Sequence, residues 1–223
     1  MTAKEFFKST AFKALAVLLA ITIVAGGLLA IFNDLLYITD EERFNRVIEQ
    51  IYGGSAKVEK TLLTTDDDAL SYSNGSVSQA YLMSDGNYLV QATGKGGYNG
   101  GTVTVWVVQK FDGSDWKGVD KVVYDSNTSQ TLMANLTSSF YNEFTLHNDE
   151  LVDKDMLFSP EDSGTVHVIV TDATMSSGAV CNAVNSSILY IKSEVLGQAV
   201  ETYTYEYEKY VDMENSTIEA NLV

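Results

Sequence analysis

The group best placed for chemistry in this sequence is a hydroxyl at the predicted start of a helix. Residues 165–191, TVHVIVTDATMSSGAVCNAVNSSILYI, have the pattern of a strand, a tight turn and a helix, with Thr174 at the turn. No acidic residue lies between Met175 and Lys192, and the first free amides of a helix attract anions. We therefore expect a phosphate to bind beside Thr174. The alternative is that Thr174 or Ser176 is simply the N-cap of the helix.

A second candidate segment is rich in glycine. Residues 94–101, GKGGYNGG, contain five glycines around Tyr98. The segment is not a P-loop, because no Lys-Ser/Thr pair ends it, and it opens no helix as a dinucleotide-binding fingerprint must. Its glycines predict a backbone that bends sharply or closely approaches another group. A flexible hairpin is the alternative interpretation.

Metal ligands are scarce. Cys181 is the only cysteine, and the two histidines, His147 and His167, have no cysteine or histidine neighbours at ligand spacing. We therefore expect no zinc or iron–sulfur site within this chain. Cys181 is predicted to be a buried structural thiol, and redox chemistry would require an organic cofactor.

The stretch TDATMSSGAVCNAV resembles the Ser-Gly-Ala-Thr segment of a known family of FMN-binding domains. The family includes the FMN-binding subunit of Rnf electron-transport complexes and its counterpart in sodium-pumping NADH:quinone oxidoreductases, where the final threonine carries FMN through a phosphoester bond. The resemblance implies that Thr174 bears the flavin, preceded by Ala173, with Thr171 in place of the family serine. The string GKGGYNGG is similar to the family's Gly-Tyr-Gly-Gly segment, which implies that Tyr98 lies on the ligand side.

The chain departs from this family at several positions. Asp172 replaces a glycine, Val168 replaces an aspartate, and the family's Glu-Thr-Pro-Gly-Leu-Gly loop reads NTSQTL here, with only Thr128 retained. The cofactor-binding residues implied by the resemblance are Thr174, Ala173, Thr171, Ser176, Ser177, Thr128 and Tyr98. The departures favour the alternative of a domain with non-covalent FMN, or with no flavin.

The N-terminal region has the composition of a membrane anchor. Residues 14–32 are 19 uncharged residues, enough to cross a bilayer. Lys4, Lys8 and Lys13 precede this run, and Asp34 and Asp40 follow it. The pattern favours an uncleaved single-pass helix over a signal peptide. By the positive-inside rule the N-terminus is cytoplasmic and the remaining chain extracytoplasmic.

A short helix is predicted directly after the membrane segment. Thr39 and Glu42 have the spacing of a capping box, and Gly53-Gly54 provides the stop. Residues 64–76 are predicted to form a surface loop.

Strands follow in pairs. Residues 77–83 and 88–93 flank a turn at 85–87, and residues 102–111 and 119–124 flank a longer turn at 112–118, which predicts an antiparallel sheet. A helix is expected after a cap at Thr128 or Ser129, with apolar positions at Leu132, Met133, Leu136, Phe140 and Phe144. Tyr203, Tyr205 and Tyr207 alternate as in a strand.

Taken together, the sequence predicts an α+β protein: one N-terminal transmembrane helix followed by an antiparallel-sheet FMN-binding domain with packed helices. The expected segments are 1–38 with the transmembrane helix, 39–54 with the juxtamembrane helix, and 55–223 with the FMN-binding domain. The net charge of −16 disfavours nucleic acid as a partner.

The resemblance implies an electron-transfer subunit of a membrane-bound Rnf-type ferredoxin:NAD oxidoreductase coupled to Na⁺ or H⁺ translocation. Its partners would be the other membrane subunits and the membrane lipid. A flavin-free accessory or structural subunit of such a complex, or of another envelope assembly, is the alternative.

The charge asymmetry around the apolar run makes the topology testable. A protease added to intact cells without a wall should digest residues beyond about 40 and spare the N-terminus, as the positive-inside rule requires. Immunoblotting with tags at each end provides the measurement. A fully protected C-terminal domain would contradict the outward orientation.

Overall fold

The computed structural model describes residues 10–36, 39–64, 67–72, 74–160 and 165–200. The chain divides into two units, residues 1–50 and 51–223. The predicted C-terminal strand with Tyr203, Tyr205 and Tyr207 lies outside the described residues.

The first unit contains a long apolar helix, α1, which runs from Thr10 to Leu36. Its segment Phe12–Phe32 is long and apolar enough to span a membrane. The hydroxyl of Thr22, the polar residue within the uncharged run 14–32, donates to the Leu18 carbonyl oxygen at 2.9 Å. This internal hydrogen bond removes most of the cost of placing a hydroxyl in an apolar environment.

Helix α2 spans Asp40–Tyr52 and has the predicted ends. The Glu42 amide donates to the Thr39 hydroxyl oxygen at 3.1 Å, as expected of the first half of a capping box. Gly53 and Gly54 have φ values of 56° and 77°, and this left-handed conformation terminates the helix.

An antiparallel sheet forms the centre of the second unit, as predicted. Its described strands are β1 (Val58–Leu63), β2 (Leu70–Tyr72), β3 (Gly75–Met83), β4 (Tyr88–Gly94), β5 (Val103–Asp112) and β6 (Asp115–Asn127). They lie in the order β1-β3-β4-β5-β6, and β2 also pairs with β3. The expected loop at 64–76 therefore contains a strand, too short to show a period in the sequence.

The two predicted hairpins are present, but one turn is shorter than expected. Between β3 and β4, the Asn87 amide donates to Asp85 Oδ1 at 3.0 Å around a left-handed Gly86. Between β5 and β6, Asp112 pairs directly with Asp115, so the predicted turn at 112–118 was wrong. A register shift between β5 and β6 disrupts the alternation from which strand ends are predicted, because the consecutive residues Lys110 and Phe111 pair with the left-handed Gly118 and with Trp116.

The chain between β6 and the last helix is more irregular than predicted. Its elements are a 3₁₀ turn at Met133–Asn135, α3 (Ser138–Glu143), α4 (Asn148–Asp153), the parallel pair β7 (Phe158–Ser159) and β8 (Val166–His167), and a second 3₁₀ turn at Thr171–Ala173. The expected continuous helix after Thr128 or Ser129 was wrong. Ser129 has a left-handed φ of 57° and Leu136 a non-helical ψ of 84°, and these residues interrupt the helical pattern.

The apolar residues of that region still reach the core. Leu136, Phe140 and Phe144 are buried as predicted, and the Phe140 and Phe144 rings meet edge to face with centroids 5.3 Å apart. Leu132 is 45% exposed and does not belong to the core.

Two asparagine side chains form hydrogen bonds with strand backbone in the way that a neighbouring strand would. The Asn148 amide accepts from the Val119 nitrogen at 2.8 Å and donates to the Val119 oxygen at 3.0 Å. Asn185 makes the same pair of hydrogen bonds with Phe158 in β7, at 2.9 and 2.8 Å. The strand predicted at 165–170 is shorter than expected, because only Val166 and His167 pair with β7.

The last helix, α5, spans Thr174–Tyr190, continues as a π-helical turn at Ile191–Val195, and packs on strands β3, β4 and β5. Its core side chains are Ala179, Val180, Ala183, Val184 and Ile188, which meet Val77, Val90, Ala92, Val103, Val105 and Val107.

Two glycines allow α5 to approach the sheet this closely. Gly75 and Gly94 are paired across β3 and β4. A Cβ at Gly94 would overlap the Ala179 carbonyl oxygen and the Ala183 nitrogen, and a Cβ at Gly75 would overlap the Ser186 hydroxyl. The helix therefore lies on backbone at this point of the sheet.

Replacement of Gly94 tests this contact. Gly94→Ala should lower the free energy of unfolding by about 3 kcal/mol, because helix backbone cannot move aside without unpacking the core. Denaturant unfolding followed by circular dichroism provides the measurement. Gly178→Ala, in the same helix, is the matched control because its Cβ would lie 3.4 Å from Pro160. We expect this variant to be as stable as wild type or up to about 1 kcal/mol more stable.

Candidate functional site

The beginning of α5 differs from the predicted cap. Thr174 is the first helical residue, and Ala173 at the N-cap position provides no side-chain hydrogen bond. The predicted capping role of Thr174 or Ser176 was therefore wrong. The Thr174 hydroxyl is exposed and donates to the Thr171 carbonyl oxygen at 3.1 Å. A helix start without a side-chain cap leaves its first amides to other acceptors.

Ser177 holds the turn before α5 against the helix. Its buried hydroxyl donates to the Ala173 carbonyl oxygen at 3.0 Å and accepts from the Val170 amide at 3.0 Å. Both interactions lie within residues 170–177, which form the turn and the first turn of α5. Ser177 therefore fixes the backbone of the candidate site from the buried side of the turn.

Gln130 joins three of the predicted site residues. Its Oε1 accepts from the Tyr98 amide at 3.1 Å and from the Ser176 hydroxyl at 2.9 Å. Its Nε2 donates to the carbonyl oxygens of Tyr98 and Thr128, at 3.3 and 3.1 Å. One side-chain amide thus binds the glycine-rich segment, the loop after β6 and the first turn of α5.

The close contact between Gln130 and the segment around Tyr98 requires glycine on both sides of Tyr98. A Cβ at Gly97 or Gly101 would overlap the Gln130 amide nitrogen, and one at Gly101 would also overlap the Thr128 carbonyl oxygen. The Thr128 hydroxyl oxygen accepts from the Thr102 amide at 2.9 Å. The glycine-rich segment is thus a closely packed connection, which supports the first of its two sequence interpretations.

The predicted site residues lie around one end of α5. Thr171, Ala173, Thr174, Ser176 and Ser177 belong to the turn and the first helical turn, and Gln130 links Tyr98 and Thr128 to them. The 3₁₀ turn Met133–Asn135 also lies against Thr171–Ala173.

Exposure separates these residues into two groups. Thr171, Thr174 and Thr128 are exposed and Tyr98 is 48% exposed, whereas Ala173, Ser176 and Ser177 are buried. Three hydroxyls and one aromatic ring are therefore accessible to a ligand, over a buried layer that fixes the turn.

The electrostatics of this end of α5 combine a positive and a negative contribution. The helix start favours an anion. Asp172, one residue after Thr171, carries an exposed carboxylate that repels one. Because Asp172 faces solvent, water and salt screen this repulsion.

Cys181 is excluded as a reactive group. Its side chain is fully buried, and burial raises the pKa of the thiol well above its usual value. Its sulfur lies 3.5 Å from the Val168 carbonyl oxygen. The predicted buried structural thiol is confirmed.

Gln130 is a site residue that the sequence does not reveal. It occupies the loop NTSQTL, where no spacing or periodicity distinguishes it from its neighbours. The sequence gives only an indirect indication of its role. No turn type requires glycine at both Gly97 and Gly101, which indicates that another group packs closely against them.

Comparison with protein-family models, curated proteins and solved structures found no match. The molecule is thus defined by its own architecture: a helix able to span a membrane, and an α+β unit whose antiparallel sheet carries the buried helix α5.

The bridging role of Gln130 can be measured. Gln130→Ala removes the acceptor of the Tyr98 amide, so this amide should exchange with solvent about tenfold faster, as expected for the loss of about 1.4 kcal/mol of protection. Residue-resolved hydrogen exchange provides the measurement. Gln79→Ala is the control, because Gln79 donates to Gln91 on the sheet, away from Tyr98. Unchanged Tyr98 exchange in Gln130→Ala would contradict the assignment.

Proposed function

We propose that this protein is an electron-transfer subunit of a membrane-bound Rnf-type complex and carries FMN on Thr174. The observation that carries the proposal is the exposed Thr174 hydroxyl on the first residue of α5, at a helix start without a side-chain cap. The resemblance of TDATMSSGAVCNAV to the flavin-bearing segment gives this hydroxyl its chemical assignment.

The residues present fit the phosphate end of FMN. A phosphoester at Thr174 would put the negative charge next to the first amides of α5, where a helix stabilises anions. Thr171 and Thr128 offer further exposed hydroxyls at the same end of the helix, and Tyr98 offers an aromatic ring. The bound flavin would supply one- and two-electron redox chemistry, and the protein would hold and tune it.

Helix α1 supports a membrane-bound subunit. Its apolar side chains between Leu15 and Phe32 are exposed, which suits a lipid environment. Gly26 and Gly27 have open space around the position of a Cβ, and small residues of this kind let neighbouring membrane helices approach closely. We infer that other membrane subunits and lipid surround α1, that the N-terminus is cytoplasmic, and that residues after α1 are extracytoplasmic.

A second candidate function is a flavin-free accessory subunit. Asp172 puts a carboxylate in the turn that leads to Thr174, and Val168, where the family has an aspartate, is 2% exposed. Gln130 fills the position of a family glycine with a side chain that is already hydrogen-bonded to Tyr98 and Ser176. These three residues are the observations that support the accessory function.

Covalent flavin at Thr174 has a direct readout. Full-length protein co-expressed with a flavin transferase should fluoresce in a denaturing gel, and its mass should rise by FMN less one water, because the threonine oxygen replaces a phosphate hydroxyl. Thr174→Val should abolish both signals. Thr171→Val, which removes a neighbouring exposed hydroxyl, is the matched control and should retain them.

Two outcomes would change the assignment. Covalent flavin that persists in Thr174→Val would mean that another residue carries it. Folded wild-type protein that shows no flavin absorbance after co-expression would support the accessory function. Circular dichroism of each variant shows whether lost flavin reflects lost folding.

A further inference from the structure

A cavity of about 440 Å³ lies at the opposite end of α5 from Thr174. Its lining includes two lysines, Lys154 and Lys192, one carboxylate, Asp155, and apolar side chains such as Leu157 and Leu189. A helix of 17 residues separates the two ends by about 25 Å at 1.5 Å per residue, so this cavity is distinct from the proposed flavin site.

Lys192 is unusual because a lysine side chain is rarely buried. The residue is 7% exposed, forms an ion pair with Asp155, and its Nζ lies 5.3 Å from the centre of the Trp116 ring. Burial of a lysine charge is costly unless acceptors surround it, and an ammonium can donate three hydrogen bonds. Asp155 and the Trp116 ring leave capacity for a further acceptor from the cavity.

The surroundings hold Lys192 in place. Trp116 donates from Nε1 to Gln109 Oε1 at 2.9 Å, and Gln109 donates to the Ser187 hydroxyl at 2.7 Å. Gln109 is fully buried, so this chain of hydrogen bonds fixes the aromatic ring against which the ammonium lies. The lysine is thus preorganised at the cavity wall.

The backbone around the cavity has two irregular features. Lys192 lies in the π-helical turn Ile191–Val195, where the Leu196 amide donates to the Ile191 carbonyl oxygen at 2.9 Å. Asp155 has a left-handed φ of 54°. Both π-turns and strained non-glycine residues are found preferentially at functional sites.

The charge of the cavity is opposite to that of the protein. The whole chain carries −16, yet the two lysines exceed the single carboxylate among the described residues that line the cavity. Asp155 has an 82% exposed side chain, so it meets Lys192 from the solvent side and can turn away. An anion with an apolar body matches this combination of buried charge and apolar wall.

We propose that this cavity binds a short-chain organic carboxylate. The carboxylate group accepts hydrogen bonds from Lys192 and Lys154, and the hydrocarbon part lies against Leu157 and Leu189. The carboxylate competes with Asp155 for the buried ammonium. The site operates independently of flavin.

The experiment is a calorimetric titration of the full-length, detergent-solubilised protein. The probes are butyrate and its neutral analogue butyramide, at constant ionic strength. We expect butyrate to bind at least tenfold more tightly than butyramide. Lys192→Met should weaken butyrate at least tenfold, and Asp155→Asn should tighten it severalfold because the competing charge is gone. Lys110→Met is the control, since Lys110 is exposed and pairs with Asp120.

The change in butyrate affinity of Asp155→Asn shows whether Lys192 and Asp155 form a ligand site or only a structural ion pair. A purely structural pair predicts no gain in affinity in Asp155→Asn. Equal binding of butyrate and butyramide, or full butyrate affinity in Lys192→Met, would overturn the proposal. If Lys192→Met does not fold, Asp155→Asn decides alone, because its exposed side chain can be changed without opening the core.

The carboxylate could come from a free molecule or from this chain. Residues 201–223 contain six acidic residues and continue directly from Val200, which lines the cavity. The full-length variant that carries Glu201→Gln, Glu206→Gln, Glu208→Gln, Asp212→Asn, Glu214→Gln and Glu219→Gln distinguishes the sources. Tighter butyrate binding in this variant assigns the site to a carboxylate of residues 201–223, and unchanged binding assigns it to a free ligand. Absence of butyrate binding to both forms would overturn the proposal.

Discussion

The contact between α5 and the sheet at Gly75 and Gly94 is the constraint on which the rest of the second unit depends. Because the helix lies directly on backbone there, its small side chains are buried on nearly every side, and polar ones must find partners. Asn182 donates to the Lys95 carbonyl oxygen at 2.8 Å and so fixes the start of the glycine-rich segment. A shift of the helix would move both of its ends, and with them Thr174 and Lys192.

The fold was predictable where one local pattern determined the structure. The hairpin around Gly86, the apolar helix α1 and the ends of α2 follow from turn residues, length and a capping box. The predictions failed where tertiary contacts override local preference. Leu136, Phe140 and Phe144 reach the core at helical spacing, although the backbone that carries them is a 3₁₀ turn and a separate short helix.

The part of the candidate site that is continuous in sequence was predictable, but the contacts between distant segments were not. The pattern of residues 165–191 correctly predicts a strand, a turn and a helix with hydroxyls at the junction, although β8 is short and Thr174, predicted in the turn, is the first residue of α5. Gln130 could not be predicted, because its role depends on three segments that meet only after folding. Ser177 also has a role that only the geometry reveals, since its side chain is buried whereas that of Thr174, three residues earlier, is exposed.

The pair of hydrogen bonds between the Asn185 side chain and the Phe158 backbone affects whether Asn185 can be glycosylated. Asn185-Ser186-Ser187 is a sequence that oligosaccharide transferases accept. In the folded molecule, however, its side-chain nitrogen donates to Phe158 and its oxygen accepts from the same residue. A glycan on that nitrogen would have to displace β7 from the helix. Folding therefore closes this acceptor to the modifying enzyme, and a sugar could be attached there only before the domain had formed.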